Sequence, residues 1–361
     1  MNIGLTKKLI DTLKIKAEIN KVEKDLFTWT ANLITLSRRK VVIVVNDYSR
    51  YGFVLYGLKA KDFANLEEII INGIKTSLEM INIKDEIVSK YIEEAGKITY
   101  TKTKGPKYVS RIVKACEMVP FFQQLLNPNE IYQYCISRKM NNDIIKVDKD
   151  NYKDPKELMV KALEEIYGED IIECEVAELV ISLDLGYYKA IRNLVTPINI
   201  TFNDLHRIIQ DLYEWKSYHL NEFLIYDSKG KCILNVITEH EEVVDGLSDV
   251  PIKYESEVNI GDYIKGKNKI IYYYDYGDGW KHQIKVRKII TSYNKNYPIC
   301  TKASGEAPPE DVGGVPGFMD FYDIMKNSNH PEYDFYYQWA RGNGYGEMDI
   351  NYINMRLHGI L

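Results

Sequence analysis

Three features of the sequence predict an α+β protein of two mixed domains: β-branched runs joined by turn residues, apolar stripes at helical spacing between them, and a change in the sign of charge along the chain. With 361 residues, 45% of them hydrophobic and 27% charged, the chain can bury a large core and is excluded from the disordered class. Lys40 to Asn46 and Tyr51 to Leu58 are apolar runs flanking Asn46 to Arg50, whose turn chemistry predicts a hairpin. Asp62 to Ile81 places Phe63, Leu66, Ile70, Ile74 and Leu78 on one helical face, although Gly73 costs that helix about 1 kcal/mol relative to alanine. Lys84 to Ala95 predicts a second helix, stopped by Gly96. These elements define a small basic domain over residues 1–115.

Residues 116–174 read as a helical connector with a charged linker. Phe121 to Arg138 is an amphipathic run that predicts a helix, and Asn141-Asn142-Asp143 breaks it. The polar stretch Asp148 to Glu157 predicts a linker or surface loop, and Pro155 to Tyr167 a helix with proline in its first turn. Residues 175–361 predict an antiparallel or mixed sheet with packed helices. Val176 to Leu185 is a strand candidate, and Thr201 with Asp204 forms a helix-start pattern before the apolar face Phe202, Leu205, His206, Ile209 and Tyr213. Asn221 to Asp227 and Lys231 to Thr238 flank the short connection Ser228-Lys229-Gly230.

The overall charge of −5 conceals a net of +7 over residues 1–120, −6 over 121–180 and −6 over 181–361. A basic first third is either a nucleic-acid footprint or a domain matched electrostatically to the acidic remainder, and the count leaves both open. Five cysteines without paired spacing disfavour a disulfide scaffold and a CxxC zinc or redox motif, so the cytosol is the expected compartment. The strongest apolar stretch, Val41 to Val45, is far too short to span a membrane, and no membrane partner is expected.

Two passages concentrate chemistry. In Ile270 to Ile290, a two-residue turn at Asp278-Gly279 would set Asp275 opposite His282, with Ile271, Tyr273, Asp275, His282, Ile284 and Val286 on one face. A carboxylate facing an imidazole suits general acid/base chemistry or metal ligation, and equally a structural ion pair that locks the register. The second passage, Gly305 to Gly317, is so rich in glycine and proline that its path must be specific, and it presents Glu310 and Asp311. These two carboxylates suit a divalent cation or a donor-rich ligand, or they cap the helix expected near Phe318 to Met325. Asp275, Asp278, His282, Glu310 and Asp311 are therefore the candidate site residues, with His282 as candidate general base.

His206 lies on an apolar helix face, where a satisfied core histidine is the commoner role. No GxGxxG, Walker-A loop, nucleophile elbow, HxH or HExxH occurs, so no organic cofactor is expected and a divalent metal is the one group the candidate residues would suit. Two functions follow: a non-enzymatic module that binds a small ligand or a protein with the second domain, while the basic first domain contacts a further partner such as nucleic acid; or a metal-assisted hydrolase or nuclease-like enzyme.

The second half resembles a known family, the plasmid pRiA4b ORF-3-like proteins. The matching residues are Leu205-His206-Arg207-Ile208-Ile209-Gln210, Trp215, His219-Leu220, Tyr274-Asp275-Tyr276-Gly277-Asp278 with Trp280 and His282, and Pro308-Pro309-Glu310-Asp311-Val312-Gly313-Gly314 with Gly317. The resemblance implies a compact α+β domain over residues 175–361, and the label of resolvase that some members carry implies an association with mobile elements. It also marks departures: the family's His-Leu-His ends here in Asn221, and Ala307 and Val312 stand where cysteines are frequent. The first block resembles a short uncharacterised bacterial domain family through Trp29, Ala31-Asn32-Leu33, Arg38-Arg39-Lys40, Asn46 and Lys102-Thr103.

Overall fold

In the computed structural model the described residues are 1–19, 24–142, 144–148, 151–238, 250–266, 268–343, 345–346 and 348–360, and the chain divides into two units, Met1–Glu173 and Cys174–Leu361. In the first unit, β1 (Asn2–Leu5), β2 (Thr28–Leu36), β3 (Arg39–Asn46), β4 (Gly52–Tyr56) and β5 (Thr99–Lys102) form one sheet in the order β4-β3-β2-β1-β5. β1 runs parallel to β2 and β5, and the other pairs are antiparallel. The expected hairpin is β3–β4. Its turn is held by the Asn46 side chain, whose Oδ1 accepts from the Tyr48 and Ser49 amides.

The run Val41 to Val45 is continuously apolar because both faces of the sheet are covered. Val42 and Val44 join a core with Ile70, Ile74, Leu78, Tyr91 and Leu163, from helices Leu66–Met80, Asp85–Ala95 and Pro155–Tyr167. Val41, Ile43 and Val45 join a core with Ile112, Cys116, Ile136 and Met140, from helices Pro106–Met118 and Tyr134–Asn141. Gly73 has a packing reason: a Cβ there would stand 2.2 Å from the Phe53 ring, so the helix lies too close to the sheet for any side chain.

Three expectations change. The helix expected over Asp62 to Ile81 is broken at Asn65 into Ala60–Ala64 and Leu66–Met80. Phe121 to Arg138 is not one helix. A 3₁₀ segment, Val119–Leu125, gives way to a turn and then to a single bridge of Tyr132 to Leu55 at the edge of β4, Tyr56 N donating to Ile131 O at 2.7 Å and Gln133 N to Val54 O at 2.9 Å. Pro120 and Pro128, which lack amide donors, interrupt the helical ladder there. The stretch read as a linker from Asp148 holds part of a hairpin, β6 (Ile145–Asp148) with β7 (Asn151–Lys153). Asp154 then caps the next helix by accepting from the Lys156 and Glu157 amides. Asp143 and residues 149–150 lie outside the described residues.

The second unit is built on β8 (Cys174–Asp184), β9 (Lys189–Pro197), β10 (Asn221–Tyr226), β11 (Cys232–Ile237), β12 (Ile252–Tyr254), β13 (Lys269–Tyr274), β14 (Trp280–Tyr293) and β15 (Ile299–Ser304). Their order is β12-β11-β10-β13-β14-β8-β9-β15, antiparallel except for β11–β12. Helix Phe202–Tyr213 opens with the expected capping box between Thr201 and Asp204 and buries Phe202, Leu205, Ile208, Ile209 and Leu212 in the core. The protein is thus α+β, as the sequence predicts. Among the described residues no helix is long and apolar enough to cross a membrane.

The β13–β14 register differs from expectation. Tyr274 pairs with Trp280 and Tyr272 with His282, so Asp275 to Gly279 form the connection and Asp275 does not face His282. The shift along β13 is odd, which exchanges its two faces. His282 therefore shares the core face with Tyr272, Tyr274, Trp280 and Ile284.

Candidate functional site

Three chain turns converge beyond the end of β13: residues 214–219 after the long helix, the loop 275–279, and the loop 305–314. Buried side chains anchor each one. Arg192, fully buried, donates to the carbonyls of Leu212, Ser304 and Gly305 at 2.8, 3.2 and 2.9 Å, tying the end of the helix to the start of the glycine- and proline-rich loop. Trp215 stacks on Tyr213 and Tyr274 with ring centroids 5.4 and 5.1 Å apart, and its Nε1 donates to Pro308 O at 2.8 Å. Ser217 is held by its amide on Gln210 Oε1 at 2.9 Å and by its hydroxyl on His206 Nε2 at 2.6 Å.

Glu310 is 3% exposed and sits at the centre of this arrangement. Its Oε1 accepts from the Lys216 amide at 2.7 Å, and the Tyr274 hydroxyl donates to both carboxylate oxygens at 3.1 and 3.2 Å. Burial and the neighbouring Glu310 raise the Tyr274 phenol, which stays a donor throughout the physiological range. Asp275 divides its oxygens. Oδ1 accepts from Gly277 N at 2.9 Å and closes the loop, while Oδ2 lies 3.7 Å from His219 Nε2. The same nitrogen stands 3.8 Å from Glu310 Oε2 and 3.2 Å from Asp311 Oδ1. It is shielded from solvent and makes no hydrogen bond among the described residues. One ligand atom from each of His219, Asp275 and Asp311 falls within a 4.8 Å spread.

Every non-glycine residue with positive φ described in the second unit, namely Glu214 (59°), Ser217 (56°), Asp275 (55°) and Asp311 (60°), lies in these three turns. Left-handed backbone at such residues costs of order 1–3 kcal/mol each and persists where surrounding structure imposes it.

Of the residues proposed from sequence, Asp275, Glu310 and Asp311 are brought together and two are not. Asp278 instead ties the loops to each other: its Oδ2 accepts from Gly313 N at 3.2 Å, and Gly314, with φ +67°, lies so close that a Cβ would stand 2.6 Å from Asp278 O. His282 is fully buried, edge-on to Tyr213 and Trp215 at 4.8 and 5.4 Å, and its ring faces the backbone of Trp280 and Tyr272. Burial pushes its pKa down from 6.5 to about 3, which leaves the imidazole neutral and too weakly basic for the role of general base. The helix after the loop, Gly314–Met325, has Gly313 at its N-cap and no side-chain cap, so neither Glu310 nor Asp311 caps it.

His219 is the residue that motif reasoning left out of the cluster. Its signal was the family segment His219-Leu220, next to a buried tryptophan. The family positions at which this chain departs carry neither histidine nor cysteine. Asn221 donates from Nδ2 to Glu255 at 3.0 Å, and Ala307 and Val312 pack against the core. His206 is held on both ring nitrogens, by Tyr272 at 2.7 Å and Ser217 at 2.6 Å, and burial lowers it to about 4.

Comparisons with known proteins match the two parts of the chain separately. Residues 2–158 match a domain of unknown function, DUF6933. The uncharacterized protein y4hQ of Sinorhizobium fredii is 28% identical over 179 residues, 49% of this chain and 87% of that protein. A protein of unknown function, MM3350 from Methanosarcina mazei Go1, known from a crystal structure, is 31% identical. That match covers 50% of this chain and 97% of that one, with a TM-score of 0.42. Residues 175–356, half of the chain, match the plasmid pRiA4b ORF-3-like family over the stretch that holds all three turns, and the chain belongs to that family.

Proposed function

We propose that the second unit is a non-enzymatic binding module that captures a divalent cation through His219, Asp275 and Asp311, with Glu310 behind them. The observation that carries this reading is the shielded His219 Nε2, unbonded among the described residues, with three carboxylate oxygens 3.2 to 3.8 Å away. One imidazole among carboxylates favours Mn²⁺ or Zn²⁺ over Mg²⁺, which prefers an all-oxygen shell. Binding is favoured over catalysis because His282, the general base that the enzymatic reading names, is buried and neutral. The family's plasmid description supports an association with mobile elements.

Metal analysis of the purified chain, with thermal unfolding in Mn²⁺, Zn²⁺ and Mg²⁺, tests the reading. A cation at one hundred times its Kd stabilises by about 2.7 kcal/mol. The shift should vanish in His219→Ala. No bound metal and no shift with any of the three ions would end the proposal. The second reading, a metal-assisted hydrolase, has in its favour the carboxylate of Glu310 beside the Tyr274 hydroxyl. It requires turnover of a model phosphodiester by the metal-loaded chain that is lost in Glu310→Gln.

A further inference from the structure

The first unit contains a cavity of about 540 Å³, within the range of small-ligand pockets, which the function proposed above does not use. Its wall holds Arg50, Lys107, Arg111, Lys114 and Lys146, and no carboxylate among the described residues. None of these five cations forms an ion pair among the described residues. Lys107, Ser110, Arg111 and Lys114 project from helix Pro106–Met118, and Lys146 comes from β6. Arg50 follows the β3–β4 turn with φ +62°.

Two of the charges are held in place by the main chain. Arg50 donates to Lys146 O at 2.9 Å, and Arg111 donates to Asp47 O at 2.5 Å while its Nε stays buried without a partner among the described residues. Burial lowers the Arg50 guanidinium, and the nearby Arg111, which also faces the Asp25 and Asp47 carboxylates, lowers it further. The rest of the wall is apolar and aromatic. Ile144, Val147 and Tyr152 are exposed large side chains on it, and Lys146 lies 5.7 Å from the centre of the Tyr152 ring.

From this juxtaposition we infer that the cavity binds a nucleoside phosphate, with the phosphates on the Arg50, Arg111, Lys107, Lys114 and Lys146 side and the base against Tyr152 and the isoleucine and valine wall. Guanidinium and ammonium groups supply the phosphate contacts, and an exposed phenol ring beside aliphatic side chains supplies a stacking surface for any base. The chemistry is the same whether the nucleotide is free or belongs to a single strand. The site gives the basic first third of the chain a definite place to act, and it is independent of the cation cluster in the second unit.

The test is a titration of the full chain with ATP, inorganic pyrophosphate and a short single-stranded oligonucleotide, at about 50 mM salt and again at about 200 mM. The expected result is saturable binding that weakens with salt. Lys107→Gln with Lys114→Gln should reduce affinity by about tenfold or more. Both lysines are exposed, so that variant keeps the fold. Arg111→Gln should reduce it further, while Lys229→Gln with Lys281→Gln in the second unit should leave it unchanged. ATP binding stronger than pyrophosphate binding, with the difference lost in Tyr152→Ala, identifies a free nucleotide. Binding of the oligonucleotide alone identifies a strand. Absence of binding by all three probes at low salt overturns the inference, as does binding unaffected by the lysine double variant.

Discussion

His219 Nε2 and Asp311 Oδ1 face each other at 3.2 Å across two turns that are far apart in the sequence, and the aspartate side chain is 65% exposed. Among the described residues the Asp311 side chain makes no other hydrogen bond or ion pair, so its charge belongs to the site more than to the fold. Asp311→Asn should change stability by less than about 0.5 kcal/mol, as surface substitutions usually do, yet abolish the Mn²⁺- or Zn²⁺-dependent rise in melting temperature. A variant that loses stability and keeps the metal response would reverse that assignment.

Glu310 has two tasks that substitutions can separate. Removing its carboxylate in Glu310→Ala leaves the Lys216 amide and the Tyr274 hydroxyl without their acceptor, which should cost about 2 kcal/mol or more in chemical denaturation. Glu310→Gln keeps an acceptor oxygen and should fold nearly as stably, with weaker cation affinity. Equal stability losses in the two variants would contradict this division.

At Asp275 the backbone stands at φ +55° and the side chain closes the loop through Gly277 N. Asp275→Asn, which tolerates the left-handed region and keeps an acceptor, should lose well under 1 kcal/mol, whereas Asp275→Ala should lose about 1–2 kcal/mol. Both should bind metal weakly. Denaturant midpoints for the pair decide the point.

Two buried imidazoles give the second unit an acid sensitivity. His206 and His282 are lowered by burial from 6.5 to about 4 and about 3, so between those values and 6.5 the unfolded chain holds more protons than the folded one. Stability therefore falls as pH drops below about 6.5, by up to about 1.4 kcal/mol per pH unit for each group. Asp47 in the first unit works in the opposite sense. Burial raises it from 3.8 to about 6, so it disfavours the folded state as pH rises through that interval. Comparing wild type with His282→Phe cancels the Asp47 contribution. The variant should lose less stability between pH 7 and pH 5, and an unchanged slope would show that His282 is not buried neutral.

Gly73→Ala should destabilise the first unit by about 1–3 kcal/mol through overpacking, although alanine is the better helix former by about 1 kcal/mol. The cause is the 2.2 Å approach to Phe53, and Phe53→Leu combined with Gly73→Ala should recover part of the loss. Additive losses in the double variant would refute the clash.

Local chemistry made much of this fold legible. The Thr201–Asp204 capping box, Gly96 after its helix and the Asn46 turn are each decided by a few neighbouring residues, and each stands in the structure as the sequence predicts. The errors arose where distant strands decide. The bridge of Tyr132 to Leu55 exists because the edge of β4 accepts it, and the parallel pairing of β1 with β2 and β5 leaves no trace in short segments of three unlike passages. The β13–β14 register was misread for a different reason. Asp-Gly suggested a two-residue turn, but Asp275 takes up the left-handed position four residues before Gly279, whose amide donates to the Asp275 carbonyl at 2.6 Å. That one difference removed His282 from the candidate site and left the imidazole role there to His219. Glu310 and Asp311 were legible because two prolines and two glycines around them mark a loop of special path.

Asp275 shapes its loop with Oδ1 and turns Oδ2 toward His219, so a single carboxylate is both the frame of the turn and part of the grip. The two uses cannot drift apart in sequence. A residue that abandons the grip, other than asparagine, also abandons the frame, and a descendant of this chain that has lost its ligand should betray it by a rebuilt loop between β13 and β14.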